Sequence, residues 1–283
     1  RKCDWLIIAE SVPEAVEAKG EQPEARFISG GTSMFGDVGP AGDSRTSLIS
    51  IRKTPELTGI TPTTDGLDIG ANSTAAGLLH NKDIQHTSPL LARAARSLAS
   101  RQVRNRATVG GNISTTRADH TLVPAPRVAT CGGEQRMALF DYLHSMRAVQ
   151  QSAGLVTTVS IKQVDGFTGF TRVGPRNGPC YAVASTAVVV DPQRRTVRLA
   201  IGNAKPTAFR ATNAEALAEQ GIDWDAPHPD PELCAEFGAE AARECDPVTD
   251  VAASSDYRRH AVGVMARRLL EQALQARFQG SRQ

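Results

Sequence analysis

The sequence predicts an α+β protein. Period-two apolar segments and amphipathic segments of helical period alternate irregularly along the chain, with no internal repeat. The length of 283 residues suits one large or two modest domains, and 40% hydrophobic with 22% charged residues suits ordered globular cores.

The first helix is expected over residues 11–19. Ser11 is its cap, Pro13 sits in the first turn where a missing N–H costs little, and Glu14 and Glu17 fall early. Residues 25–29 read as a short buried strand running straight into Gly30-Gly31-Thr32-Ser33. Residues 46–51 form the next strand, and residues 66–71 alternate as a half-buried one. Over residues 89–100, Leu90, Leu91, Ala94, Ala95 and Leu98 recur at helical spacing with Arg93, Arg96 and Ser97 opposite them. A polar turn then leads to Ala107. Beyond Pro124 no clear pattern emerges until the strand at 154–161, and the turn-rich stretch 165–169 marks the domain boundary. A hairpin follows, built from the strand at 187–190, a turn at Pro192-Gln193-Arg194 and the alternating strand at 196–201. Helices are expected over 212–220, 231–244 and 255–278, the last with Tyr257, Ala261, Met265, Leu269 and Ala273 on one stripe.

Composition narrows the function classes. A formal net charge of +2 gives no electrostatic case for nucleic acid or an anionic membrane. No apolar run approaches the roughly 20 residues that span a bilayer, so no transmembrane segment is expected. Asp4 and Glu10 interrupt the apolar start too soon for a signal peptide, and an opening on Arg1 rather than Met implies a trimmed amino end. The five cysteines are widely spaced with no C-x-x-C pair, so no metal or iron–sulfur site is expected from this chain, and reduced cytoplasmic thiols are the simpler account. His80, His86, His120, His144, His228 and His260 show no metal-ligand spacing, and no G-x-S-x-G elbow supports hydrolysis. Arg93, Arg96, Arg101, Arg104 and Arg106 lack interleaved aromatics and read as a solvated or subunit-docking face. Asp223, Asp225, Asp230 and Glu232, interspersed with prolines, read as a linker.

Two segments repeat one local pattern: apolar strand, Gly-Gly, small polar residue. They are Phe27-Ile28-Ser29-Gly30-Gly31-Thr32-Ser33 and Thr108-Val109-Gly110-Gly111-Asn112. Paired glycines admit positive φ and remove the Cβ atoms that would hold a ligand away. Successive N–H groups can then converge on an anion, with hydroxyls as further donors, so two facing loops would suit a diphosphate. Neither is a G-x-G-x-x-G or P-loop motif, and each pair alone reads as a tight turn.

The stretch Leu98-Ala99-Ser100-Arg101-Gln102-Val103-Arg104-Asn105-Arg106-Ala107-Thr108-Val109-Gly110-Gly111-Asn112-Ile113 closely resembles the second flavin loop of the medium subunits of xanthine dehydrogenase and carbon monoxide dehydrogenase. Ser29-Gly30-Gly31-Thr32 resembles their first loop. Gly174-Pro175-Arg176-Asn177-Gly178 and Asp256-Tyr257-Arg258-Arg259-His260 resemble parts of their terminal domain. The resemblance covers nearly the whole chain. It implies a two-subdomain FAD-binding domain of the vanillyl-alcohol-oxidase/PCMH type over residues 1–165, split near residue 52. A smaller α+β domain, a three-stranded sheet packed on helices, is implied over 166–283.

It further implies that Phe27, Ile28, Ser29, Gly30, Gly31, Thr32, Ser33 and Met34 wrap the FAD diphosphate and ribityl chain, with Thr108, Val109, Gly110, Gly111 and Asn112 closing from the other side. Leu98, on the last turn of its helix, would pack on the flavin ring, Asp119 would hydrogen-bond the cofactor, and Val156 would offer its backbone. Arg172 stands where the family has Lys, which keeps the charge and changes the donor geometry. Residues 112–119 are about two residues shorter than the family pattern, which leaves the Asp119 match open by a residue or two. Residues 124–153 are also shorter, with Cys131-Gly132-Gly133 where a strand is expected, as if residues were missing from the chain in that stretch.

Noncovalent FAD is implied, with no catalytic residue and no metal ligand in this chain. Partner subunits would carry two-iron two-sulfur clusters (the small one) and the molybdenum-pterin cofactor (the large one), as a dimer of heterotrimers. Electrons would pass through FAD to NAD, a quinone or oxygen in the cytoplasm, at the inner membrane face where a quinone is the acceptor. The competing readings are a self-sufficient flavin reductase or oxidase of the same FAD fold, and a nonredox nucleotide-binding module. The substrate of the complex, whether purine, carbon monoxide or N-heterocycle, would be set in another chain.

Overall fold

The computed structural model describes residues 5–33, 47–115, 127–131, 135–151, 154–175, 182–226 and 228–280. Met34, Asp119 and His120 lie outside them, as do Arg176, Asn177 and Gly178. The described helices are, in chain order, α1 (Val12–Glu21), α2 (Ala75–His80), α3 (Lys82–Thr87), α4 (Pro89–Ser97), α5 (Arg101–Arg104), α6 (Val109–Ile113), α7 (Leu139–Gln151), α8 (Thr212–Gly221), α9 (Pro231–Arg243) and α10 (Ser255–Gly280). The chain separates into two compact units. Among the described residues, the first comprises those within Arg1–Thr87, Leu98–Thr115 and Ala125–Lys162, and the second those within Ser88–Ser97 and Gln163–Gln283.

The first unit opens on a parallel sheet of three short strands, β1 (Leu6–Ile8), β2 (Arg26–Ile28) and β3 (Leu48–Ser50), with β3 central. Ser11 caps α1 as its spacing predicts, its hydroxyl accepting the Glu14 N–H. The helix presents Ala15 and Ala18 to Ile49, Ile51, Leu57 and Leu155, forming one buried core. The second sheet is antiparallel, in the order β4 (Ile60–Pro62), β5 (Gly66–Gly70), β8 (Leu155–Lys162), β6 (Arg127–Cys131) and β7 (Gln135–Met137). Leu67 faces Ile161 and Ile69 faces Val159 across it, all four buried, while on the alternate face Ser160 donates to Asp68 at 2.5 Å. The predicted period-two pattern is thus the cross-strand pairing.

Strands β6 and β7 and helix α7 occupy the stretch whose pattern was not legible. The strands have five and three residues, too few to show a period, and α7 buries Leu139, Tyr142 and Leu143 at its start. Cys131 ends β6, while Gly132 and Gly133 lie outside the described residues. The helix expected over 89–100 ends at Ser97. Ala99 takes φ +37° and Ser100 starts α5, its hydroxyl accepting the Val103 N–H. Leu98 is therefore buried in a turn rather than on a helix.

In the second unit a sheet of three long strands, β9 (Phe167–Val173), β10 (Ala184–Asp191) and β11 (Thr196–Gly202), takes the two-residue β12 (Phe209–Arg210) at its edge. The predicted β10–β11 hairpin is present. Asp191 accepts the Gln193 and Arg194 amides, and Arg195 closes the turn at φ +52°. Phe167 to Gly169, expected as boundary turn, begin β9, where Phe167 pairs with Val190 and Gly169 with Val188. Helices α8, α9 and α10 cover one core with the sheet. Tyr257 is 48% exposed and leaves the stripe expected of α10, whereas Val262, Ala266, Leu270 and Leu274 widen its buried face. The supposed acidic linker is the connection between α8 and α9: Asp230 caps α9 by accepting the Glu232 and Leu233 amides, and Arg195 pairs with Asp225. Among the described residues no helix is long and apolar enough to cross a membrane.

Arg258, buried on α10, gathers the far end of this unit. It donates to the carbonyls of Val183 (2.6 Å) and Asn203 (3.3 Å) and to Asp250 (2.6 Å). The Arg258→Met variant strips two buried carbonyls of their donor, so urea unfolding should show a loss of about 1–3 kcal/mol. The amides of Ala252 and Ala253, then Arg258, hold the Asp250 carboxyl below its ordinary 3.8. Its contribution is complete above that value and fades as pH falls through the depressed one. Asp250→Asn should therefore flatten the acid limb of the stability profile in pH-dependent melts.

Candidate functional site

The site is built where the strand ends of the first sheet meet the turn after β5. Strand β2 leads into Ser29 and Gly30, and Gly31 takes φ +71°, the left-handed conformation that favours glycine. Gly30 serves a different need: a Cβ there would lie 1.9 Å from the Arg106 carbonyl oxygen. Arg106 in return donates Nε–H to the Gly30 carbonyl at 3.1 Å. Gly30 and Arg106, 76 residues apart in the chain, thereby join the first glycine segment to the stretch that leads into the second.

The second segment departs from expectation. Residues Val109–Ile113 form one helical turn, capped by the buried Thr108 hydroxyl accepting the Gly111 N–H at 3.2 Å. The turn is fixed by pairing with the segment after β5: Ala75 N–H donates to Ala107 O, Val109 N–H to Ser73 O, and Gly110 N–H to Ala71 O. Neither Gly110 nor Gly111 has positive φ. Gly110 is needed for close approach, since its Cβ would come 2.7 Å from the Ala71 Cβ. Hydrogen bonds within the fold thus occupy the amides of Val109, Gly110, Gly111 and Asn112, and this segment is no anion nest. In the first segment the amides of Gly30, Gly31 and Thr32 donate to no protein group among the described residues.

Both segments open onto one cavity of about 490 Å³, within the range of roughly 300–1,000 Å³ usual for ligand sites. Of the expected contacts, Phe27, Ser29, Thr108, Gly110, Gly111 and Val156 line it. Ile28, Gly30, Gly31, Thr32, Ser33, Val109, Asn112 and Leu98 do not. Arg172 stands on β9 of the second unit, in register with Ser185. Among the lining residues that the sequence did not single out are Lys19, Asn72 and Tyr142.

Lys19 is 7% exposed and donates to the carbonyls of Pro23 (2.5 Å) and Ala25 (2.7 Å). Burial lowers its pKa, partly opposed by Glu24. Tyr142 shares a 2.7 Å hydrogen bond with Ser114, and burial raises its pKa. Asn72 donates to Ile51 O at 2.5 Å, and its buried Oδ1 has no partner among the described residues. The arginine run is partly structural: Arg104 donates to the Leu98 and Ala99 carbonyls, and Arg106 to Gly30.

This donor set fits a dinucleotide. Phe27, Ile51, Leu155 and Val156 give apolar wall for a flat ring. The unspent amides of Gly30, Gly31 and Thr32, which follow Ser29 of that wall in the chain without lining it themselves, suit phosphate oxygens. Among the described residues no group of three or more His, Cys, Asp or Glu could hold a metal ion.

The family model for the FAD-binding domain in molybdopterin dehydrogenase matches residues 1–162, and that for the CO dehydrogenase flavoprotein C-terminal domain matches 171–273. The chain belongs to this family. It is an FAD-binding subunit of the molybdenum hydroxylases, an oxidoreductase family. It is 28% identical over 279 residues to the carbon monoxide dehydrogenase medium chain of Hydrogenophaga pseudoflava, covering 93% of this chain and 94% of that one. The glyceraldehyde dehydrogenase medium chain of Sulfolobus acidocaldarius is 26% identical over 272 residues, covering 92% and 94%. Among solved structures, a carbon monoxide dehydrogenase from Hydrogenophaga pseudoflava lacking the Mo-pyranopterin moiety of its molybdenum cofactor superposes with a TM-score of 0.85 at 26% identity. That match covers 98% of both chains.

Two glycine substitutions separate packing from backbone freedom. Gly30→Ala forces the loops apart and should cost about 1–3 kcal/mol in urea unfolding together with flavin affinity. Gly20→Ala, on α1 with nothing within 4 Å of the new Cβ, should stabilise by about 0.5–1 kcal/mol.

Proposed function

We propose that this subunit relays electrons within a three-subunit hydroxylase, from iron–sulfur clusters in a small partner through its own FAD to NAD, a quinone or oxygen. The large partner, holding the molybdenum-pterin cofactor, oxidises the substrate. The observation that carries the reading is the joined pair of glycine segments opening onto one cavity, with unspent amides beside it.

FAD, when bound, supplies a ring that takes up electrons and passes them on. The chain's own residues bind and orient it. The amides of Gly30, Gly31 and Thr32 hold the phosphates, and the Ser29 and Thr108 hydroxyls flank them. Phe27 and Val156 shield one half of the dinucleotide from water. Ile28, Ser33, Met34, Val109, Gly110, Gly111 and Asn112 complete the proposed diphosphate and ribityl wrap, and Leu98, Asp119 and Arg172 are carried as proposed cofactor contacts on the family resemblance. Electron transfer requires no acid or base from the protein.

Native purification tests this. The chain should bind one FAD and travel with two other polypeptides, one larger and one smaller, carrying molybdenum and iron respectively in a fixed ratio to flavin. A yellow chain that oxidises substrate alone would favour a self-sufficient flavoenzyme, and a colourless chain that takes up no flavin would end the reading.

A further inference from the structure

The residues lining the cavity include two chemically distinct groups: Ser29, Thr108, Gly110 and Gly111, of the glycine segments, and Lys19, Pro23, Glu24, Ala25 and Arg26, running from α1 to the start of β2. Strand β2 runs between them, and a strand rise of about 3.3 Å per residue places Ala25 roughly 16 Å of extended chain from Gly30. Phosphates held at the glycine loop would therefore send the adenosine half of a dinucleotide along β2, past Phe27, toward Lys19.

Lys19 stands on the last turn of α1, almost fully buried. Burying an ammonium is costly unless its donors are used. An ammonium has three N–H donors. Pro23 and Ala25 accept two of them, and among the described residues the third has no acceptor. The two carbonyls fix the nitrogen on the cavity wall, where its remaining proton can meet a ligand acceptor. Adenine offers such acceptors on its ring nitrogens, whereas its exocyclic amino group is a donor. The flavin mononucleotide half brings no purine to this end.

We propose that Lys19 recognises the base of the bound dinucleotide, donating its third N–H to a ring nitrogen of adenine. The inference rests on the FAD reading. It makes Lys19 a residue that distinguishes FAD from FMN at this site.

The test uses the full chain freed of flavin and titrated with FAD, with FMN and with FAD analogues in which one adenine ring nitrogen is replaced by C–H (1-deaza, 3-deaza and 7-deaza). Flavin fluorescence and absorbance give each Kd. In the wild-type chain, one of the three analogues should bind about tenfold more weakly than FAD, the loss expected when a charged hydrogen bond goes. Lys19→Met should weaken FAD by a similar factor, leave FMN unchanged, and abolish the penalty of that same analogue, closing a double-mutant cycle.

The proposal is overturned if all three deaza analogues bind the wild type as FAD does, or if Lys19→Met weakens FAD and FMN equally, as a purely structural tie to the Pro23–Ala25 turn would. Should Lys19→Met fail to fold by thermal melting, the wild-type analogue series decides alone. Absence of any flavin uptake by the wild-type chain overturns the FAD reading itself, and the proposal with it.

Discussion

Everything at the candidate site depends on one backbone contact: Gly30 against the Arg106 carbonyl, sealed by the Arg106 side chain reaching back to the Gly30 carbonyl. No residue with a Cβ fits at that point without a shift of the backbone. The contact sets where the first glycine loop lies relative to Thr108 and its helical turn. It therefore decides whether a cavity exists between them at all. The ladder that pins the segment after β5 to residues 107–110 extends this constraint into the antiparallel sheet, so the loop is positioned by a rigid scaffold.

The two glycine pairs, alike in sequence, solve different problems. Gly31 supplies a backbone angle that other residues resist, and the amides of its loop, next in the chain to Ser29 of the cavity wall, are left unpaired. Gly110 supplies only the absence of a side chain, letting a helical turn sit on Ala71. The anion-binding capacity is concentrated in the first loop. The second contributes wall, spacing and the Thr108 hydroxyl, already engaged as a helix cap. This division is economical, since buried amides are satisfied within the fold wherever a ligand does not need them.

Much of the fold was legible in the sequence. The Ser11 cap, the β5 alternation, the β10–β11 hairpin and the three C-terminal helices follow from local pattern, because each is decided by residues within one or two turns of it. Where pairing is long-range, legibility failed. Strands β6 and β7 are too short to show a period, β6 owing its place to β8 and β7 to β6, and β9 hides behind a Gly-rich start that mimics a turn. At the site, Phe27, Ser29, Thr108, Gly110, Gly111 and Val156 were found by resemblance, whereas Lys19, Asn72 and Tyr142 were not. A lysine at a helix end, an asparagine after a strand and a tyrosine in an unassigned stretch are ordinary in sequence. Only burial and the cavity distinguish them.

The central claim is that the amides of the first loop, and not those of the second, receive the dinucleotide's phosphates. Amide hydrogen exchange on the chain with and without FAD reads this directly. FAD should slow exchange sharply at Gly30, Gly31 and Thr32, while Gly110, Gly111 and Asn112, bonded within the fold in either state, change little. Unaltered exchange at the first loop on saturation with FAD, or protection gained chiefly at the second, would contradict the account.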